Sequence, residues 1–273
     1  MIVQTPEREG GPAFVVNQTD HTAFAGDLAR HFGNERFTRL EPAGPVLELV
    51  SWHDEGWTDL DDRFLQDPDT GLPYHLVRTP LDELVVTSEL SPERNEARHP
   101  FAGLLSSMHT YGLYNGRYGM SDFVFVDAIP AESRPRVDAM LAGELARQER
   151  LKEELRADPA TEALADDTLI MQVYKALQFF DTFSLYVQCE HPSRHGEASF
   201  PNVPVDRAPA NDVTITVTPL GESRYRLDPF PFDVDPFEPA TTGRYLDPQP
   251  AGADMAAVWA AAPPARQSVS LTA

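Results

Sequence analysis

Along the first two thirds of this chain, apolar residues recur at the three- and four-residue steps of amphipathic helices. Phe24, Ala25, Leu28 and Phe32 form one stripe, which ends near Gly33. It follows Asn17-Gln18-Thr19-Asp20, where Asp20 is the expected N-cap, and His21 begins it. A second helix is expected over residues 45–55. There Val46, Val50, His53 and Trp57 fall at helical spacing, as do Leu47, Val50 and Asp54, until Gly56 stops the run. Further helices are predicted at 80–90 and at 100–114, the latter with Phe101, Leu104, Leu105 and Met108 inward and His109 completing the face. A long charged helix is predicted at 131–157 (Val137, Leu141, Leu145, Leu151, Leu155). The last starts at Asp166-Asp167 and runs to Gln188, with Ile170, Val173, Leu177 and Phe180 sharing their stripe with Asp181 and Ser184.

Strand-like runs are confined to the two ends. Residues 2–4 and 13–16 read as a hairpin across Glu9-Gly10-Gly11-Pro12, and 213–217 with 225–227 as another. Residues 58–76, with Asp67-Pro68-Asp69-Thr70-Gly71, and 191–211 read as loops. Residues 229–250 are proline-dense, with an edge strand expected at 243–246, then a short helix at 254–262 and a final strand at 268–272. The expected fold is mainly α: a helical bundle over 17–190. A small antiparallel β addition from both termini (1–16 and 205–273) packs on it within one domain.

Composition narrows the partners. A net charge of -21 argues against nucleic acid and anionic membrane, because phosphates would be repelled, and leaves a small-molecule substrate as the expected partner. Lys152 and Lys175 are the only lysines. The single Cys189 excludes an intrachain disulfide and suits a reducing compartment. Met1-Ile2-Val3-Gln4 lacks a signal pattern and no apolar run is long enough to span a bilayer, so the expected location is cytoplasmic. The 131–157 helix offers either a homodimer contact or a lid.

The candidate chemistry lies where ionisable residues interrupt apolar faces. A buried carboxylate is costly unless it is paired, hydrogen-bonded or bound to metal. His21, His53, Asp54 and Asp181 sit inward on three separate helices, a nitrogen and oxygen set that suits a divalent transition metal (Mn, Fe, Ni, Co or Zn) better than calcium. The alternative reading is a hydrogen-bonded polar network in a non-catalytic ligand-binding or structural protein. Other ionisable groups have ordinary readings: Asp59, Asp61 and Asp62 as a solvated face, His31 as a helix-end contact, His191 and His195 as surface loop residues. Trp52 and Trp57 read as core, and Glu55 should point away from His53.

The order His, His-Asp, distant Asp resembles the HD-domain metal-dependent phosphohydrolases, a resemblance that implies an HD-domain-like helical bundle over 17–190. Four longer stretches resemble a bacterial family labelled domain of unknown function 3891. They are Gln18-Thr19-Asp20-His21, Trp52-His53-Asp54-Glu55-Gly56-Trp57, Ser107-Met108-His109 and Gln178-Phe179-Phe180-Asp181-Thr182-Phe183-Ser184-Leu185. That second likeness covers most of the chain, including Pro229-Phe230-Pro231-Phe232, and brings no activity with it. The HD resemblance implies that His21, His53, Asp54 and Asp181 bind one metal and that His109 contacts substrate or a second metal. The implied reaction is hydrolysis of a small phosphorylated or anionic metabolite by a metal-activated water. Only His75, His99 and His109 lie between the His-Asp pair and Asp181, fewer than a two-iron oxygenase of the same superfamily uses. Such an oxygenase is the second enzyme reading. Arg117 is the best-placed cation for an anionic substrate, ahead of Arg63 and Lys175.

Overall fold

A computed structural model describes residues 1–273. Its helices are α1 (Gln18–His31), α2 (Ala43–Trp52), α3 (Thr58–Asp61), α4 (Leu81–Arg98), α5 (Pro100–Tyr114), α6 (Arg134–Ala157), α7 (Asp167–Cys189) and α8 (Met255–Ala261). The strands are β1 (Ile2–Val3), β2 (Ala13–Val16), β3 (Ala198–Val203), β4 (Val213–Gly221), β5 (Arg224–Asp228), β6 (Ala240–Leu246), β7 (Pro264–Ser268) and β8 (Ser270–Thr272). The fold is thus mainly α with a β component. One sheet has the order β1-β2-β6-β7 and is antiparallel throughout. The other, β3-β4-β5-β8, is antiparallel except for the parallel β5–β8 pair. No helix is long and apolar enough to cross a membrane.

The main core joins α1, α2, α5 and α7 to the inner face of the β3-β4-β5-β8 sheet, where Ile215, Val217, Tyr225 and Leu227 meet Phe179 and Phe200. Helix α5 is buried almost all round, as its nearly continuous apolar and small residues require. Helix α7 starts where expected, with the Asp166 carboxylate accepting from Leu169 N–H.

Several elements depart from the sequence reading, each for a local reason. Asp20 lies inside the first turn of α1, and Asn17 is the N-cap but makes no side-chain cap bond. The cap comes from far along the chain, since Asp61 Oδ2 accepts from Gln18 N–H at 2.7 Å. Asp61 is therefore buried and also holds the Met1 ammonium at 2.6 Å, so it does not belong to a solvated face. Helix α4 continues to Arg98 through Pro92. A proline there leaves the Ser88 carbonyl without its helical donor, and Thr110 Oγ1 donates to that oxygen instead. Leu145 faces solvent because the inner row of α6 runs through Val137, Leu141, Glu144, Gln148, Leu151 and Leu155.

The β content also exceeds what the sequence pattern predicts. Strand β3 occupies part of the expected 191–211 loop, disguised by Pro201 and Asn202. Strand β6 is an inner strand between β2 and β7, not an edge. The expected final strand is two, β7 and β8, which flank Val269 and join different sheets.

Helix α2 ends at Trp52, three residues early. His53 is its C-cap, Asp54 has non-helical backbone, and Glu55–Trp57 form a 3-10 turn. The corner exists because Gly56 packs against α4. A Cβ there would lie 2.3 Å from the Thr87 carbonyl oxygen and 2.6 Å from Ser91 N, and Gly56 N–H donates to Ser91 Oγ. The corner turns the imidazole and the neighbouring carboxylate into the interior.

Candidate metal centre

Four elements deliver the candidate side chains: α1 (His21), the corner after α2 (His53 and Asp54), α5 (His109) and α7 (Asp181). His21 Nε2 lies 3.3 Å and His53 Nε2 3.7 Å from Asp181 Oδ1. Both nitrogens are buried, and neither has an aligned hydrogen-bond partner. Two donors held at ~2.1 Å from one tetrahedral ion stand ~3.4 Å apart, which is the spacing found. His21, His53 and Asp181 thus form a buried cluster that could hold a metal ion. A second group, His53, Asp54 and His109, overlaps it at His53. Asp54 Oδ2 is 3.9 Å from His53 Nε2, and Asp54 Oδ1 is 4.0 Å from His109 Nε2.

The far side of each ring fixes its proton. His53 Nδ1–H donates to the Val50 carbonyl at 2.8 Å, and a carbonyl can only accept. His21 Nδ1–H donates to Gln188 Oε1 at 2.8 Å, the Gln188 amino group being engaged with Thr241 Oγ1. When neutral, both rings therefore present an Nε2 lone pair to Asp181, the tautomer a metal ligand requires. His109 is held the other way: Gln178 Nε2 donates to its Nδ1 at 2.9 Å, leaving the His109 proton on Nε2, towards Asp54.

The charges follow the same division. Burial alone would lower the His53 pKa, but the Asp54 and Asp181 carboxylates override it and raise it to about 9. Burial drives His109 down to about 4, with help from His53 and Arg117. Burial would raise the Asp181 carboxyl, yet contacts with His21 and His53 hold it well below the usual carboxylate range.

Asp54, His109 and Asp181 line a cavity of about 620 Å³. Arg117 also lines it and pairs with no carboxylate. It stands on a left-handed turn, Gly116–Gly119, in which Arg117 (φ 51°, ψ 48°) and Tyr118 (φ 55°, ψ 39°) both take a conformation that side chains disfavour. Tyr118 anchors the turn by donating its hydroxyl to Gln148 Oε1 and packing edge-on against Tyr174.

The sequence profile of the family described as Protein of unknown function (DUF3891) matches residues 1–248. The chain belongs to this family. Neither a curated protein nor a solved structure matches it.

Within this family member, His21, His53 and Asp181 come together, while Asp54 sits one step away beside His109. Arg63 is tied to Glu83 and Lys175 to Asp212, both outside the cavity wall. His75 accepts from Val3 N–H, and His99 caps α5 by accepting from Phe101 N–H. Glu55 turns outward to Arg98, as expected. His31 bonds Asp233, and His195 stacks on Tyr186 rather than standing free in solvent. Trp57 is buried and walls the cavity, whereas Trp52 is half-open under the Arg98 guanidinium.

Sequence reasoning missed the roles of Gln18, Gln178 and Gln188. A signal existed on α7, where Gln178, Asp181, Ser184 and Gln188 step by three, three and four residues along one buried row. No local signal joins Thr241 to this site, because it arrives on β6 from far along the chain.

Proposed function

We propose that this protein is a metal-dependent hydrolase of a small phosphorylated or otherwise anionic metabolite. The observation that carries the reading is the pair of buried Nε2 atoms, on His21 and His53, that face Asp181 without an aligned hydrogen bond. Leaving two such atoms unsatisfied costs about 1–3 kcal/mol each. Their donor set, two imidazoles and a carboxylate, suits a divalent transition ion. Together with Asp54, their order along the chain resembles the HD-domain phosphohydrolases.

In this reading His21, His53, Asp181 and one oxygen of Asp54 hold the ion. When bound, a divalent ion supplies Lewis acidity and draws the pKa of water toward neutrality. The other Asp54 oxygen, on the His109 side, orients the attacking water. His109 keeps its proton on Nε2 and donates a hydrogen bond from that atom to a substrate oxygen. Arg117 binds the anionic group from the cavity wall. The water oxygen bonds to the electrophilic centre as the ester bond breaks; the proton that the water gives up passes by way of the Asp54 carboxylate to solvent, and the leaving oxygen takes up one from solvent. His53 Nε2 is common to both triads, and one lone pair serves one ion. That favours a single-ion hydrolase over a two-iron oxygenase.

Metal analysis of protein prepared without chelators is expected to find about one equivalent of a divalent transition metal. Asp181→Asn and His21→Ala should lose it while circular dichroism stays native. Metal-loaded protein should hydrolyse some member of a panel of phosphomonoesters, phosphodiesters and related anions. A folded wild-type protein that takes up no such metal would leave only the hydrogen-bonded network reading.

A further inference from the structure

The cavity above the candidate centre is not built for a sugar or a nucleoside. Four of the hydroxyls in its wall, those of Thr79, Thr87, Ser88 and Thr110, already donate to backbone carbonyls of this chain. Trp57, Leu76, Leu84, Leu113, Phe125 and Leu185 supply much of the remaining surface. A ring of ligand hydroxyls placed against that wall would lose water and gain few partners.

The polar capacity that remains comes from few residues. Asp54, Asp181 and the His109 Nε2–H share the wall with Arg117, a guanidinium that has no carboxylate partner and is close enough to His109 to help lower its pKa. Gln18 belongs to the same wall, and its Oε1 is buried with no hydrogen-bond partner. The mouth is apolar and open. Val77 is 76% exposed and Phe123 67%, and both line the mouth of the cavity, as does the half-exposed Leu113. Three of the chain's exposed large hydrophobic residues thus surround one opening, and apolar clusters of that kind mark binding sites.

We infer that the ligand of this cavity is an amphipathic anion: one anionic head group between Arg117 and the His109 end, with an alkyl or aryl body lying along Leu84, Leu113 and Phe125 and leaving past Val77 and Phe123. This rests on the hydrolase reading only for the chemistry at the head group. The head group is a phosphoryl or a carboxylate, both of which a guanidinium binds in the same way. Arg117 is held in a strained left-handed turn at the place where a head group would sit, as expected of a residue whose position serves a ligand.

The test is equilibrium binding, by calorimetry on the full chain, of methyl-, butyl-, octyl- and decylphosphonate. These cannot be turned over as esters. Inorganic phosphate, decanoate and adenosine monophosphate are run beside them. Affinity is expected to rise about fourfold for each methylene buried, which is ~0.8 kcal/mol per methylene, until the tail clears the rim. Phe123→Ser and Leu113→Asn, both at exposed positions, should flatten that dependence without weakening methylphosphonate. Arg117→Gln should weaken every member of the series by a similar factor, about tenfold or more. Decanoate binding more tightly than decylphosphonate would assign the head group to carboxylates, and a decanoate that fails to bind would assign it to phosphoryl groups. Affinity that does not change with chain length, or adenosine monophosphate binding more tightly than octylphosphonate, overturns the inference. Metal content measured on the same samples keeps the two claims apart. Chain-length-dependent binding by metal-free protein removes the hydrolase and leaves the amphipathic ligand.

Discussion

Gln188 and the Val50 carbonyl shape the candidate centre from outside it, because each decides which nitrogen of a histidine carries the proton. His75 shows the same control outside the centre. Burial, aided by the Met1 ammonium and Arg78, lowers its pKa to about 4, and its Nδ1 must stay unprotonated to accept from Val3 N–H. The unfolded chain takes up this proton near the ordinary imidazole value of 6.5, while the folded chain resists it to about 4. The stabilisation is therefore complete above the unfolded value and is lost as pH falls from 6.5 towards 4. His75→Asn keeps an acceptor near the Nδ1 position and removes the titration. Urea denaturation across that window should show a shallower loss of stability in the variant, by ~2 kcal/mol at its acid end. Equal slopes would mean that His75 is not the acid-sensitive group. At this scale the sequence was most legible where chemistry and helical period coincided, as at His21, His109 and Asp181. It was least legible for the glutamines, whose amides look ordinary until the histidine they orient is known.

Among the elements, the left-handed turn at Gly116–Gly119 links stability to ligand binding. Two consecutive residues with side chains, Arg117 and Tyr118, sit where each costs about 1–2 kcal/mol. Arg117→Gly relieves one of these costs and adds ~0.5–1 kcal/mol of unfolded-chain entropy. The variant should be as stable as wild type or up to ~1 kcal/mol more stable in urea, yet bind anions more weakly. A clear loss of stability would instead make the Arg117 side chain part of the scaffold. The periodic helices α1, α5, α6 and α7 could be read from apolar spacing, because tertiary packing and local period agree there. The end of α2, β3 and the inner position of β6 could not. The first depends on the approach of α4, and the strands owe their pairing to partners distant in sequence.

The whole molecule carries a net charge of -21, so a bound anion must enter against the field of the protein that holds it. Electrostatic steering normally makes association fastest at low salt. Here the association rate of octylphosphonate should rise as ionic strength increases from about 10 to 150 mM, because the Debye length falls from ~30 to ~8 Å. A rate that falls with salt would show that the local field of Arg117 outweighs the global repulsion. The mainly helical class and the terminal origin of the β segments were legible from the distribution of periods along the chain. The division into two sheets was not, since it turns on a change of partner at Val269 that no local pattern records. Gly56 gives evolution a silent way to disable the centre. A single methyl group at that position has nowhere to go against α4, so it would prise the corner outward and carry His53 and Asp54 away from their counterparts. A relative with every donor intact but a bulkier residue there would keep the candidate ligands in its sequence and lose their convergence in space.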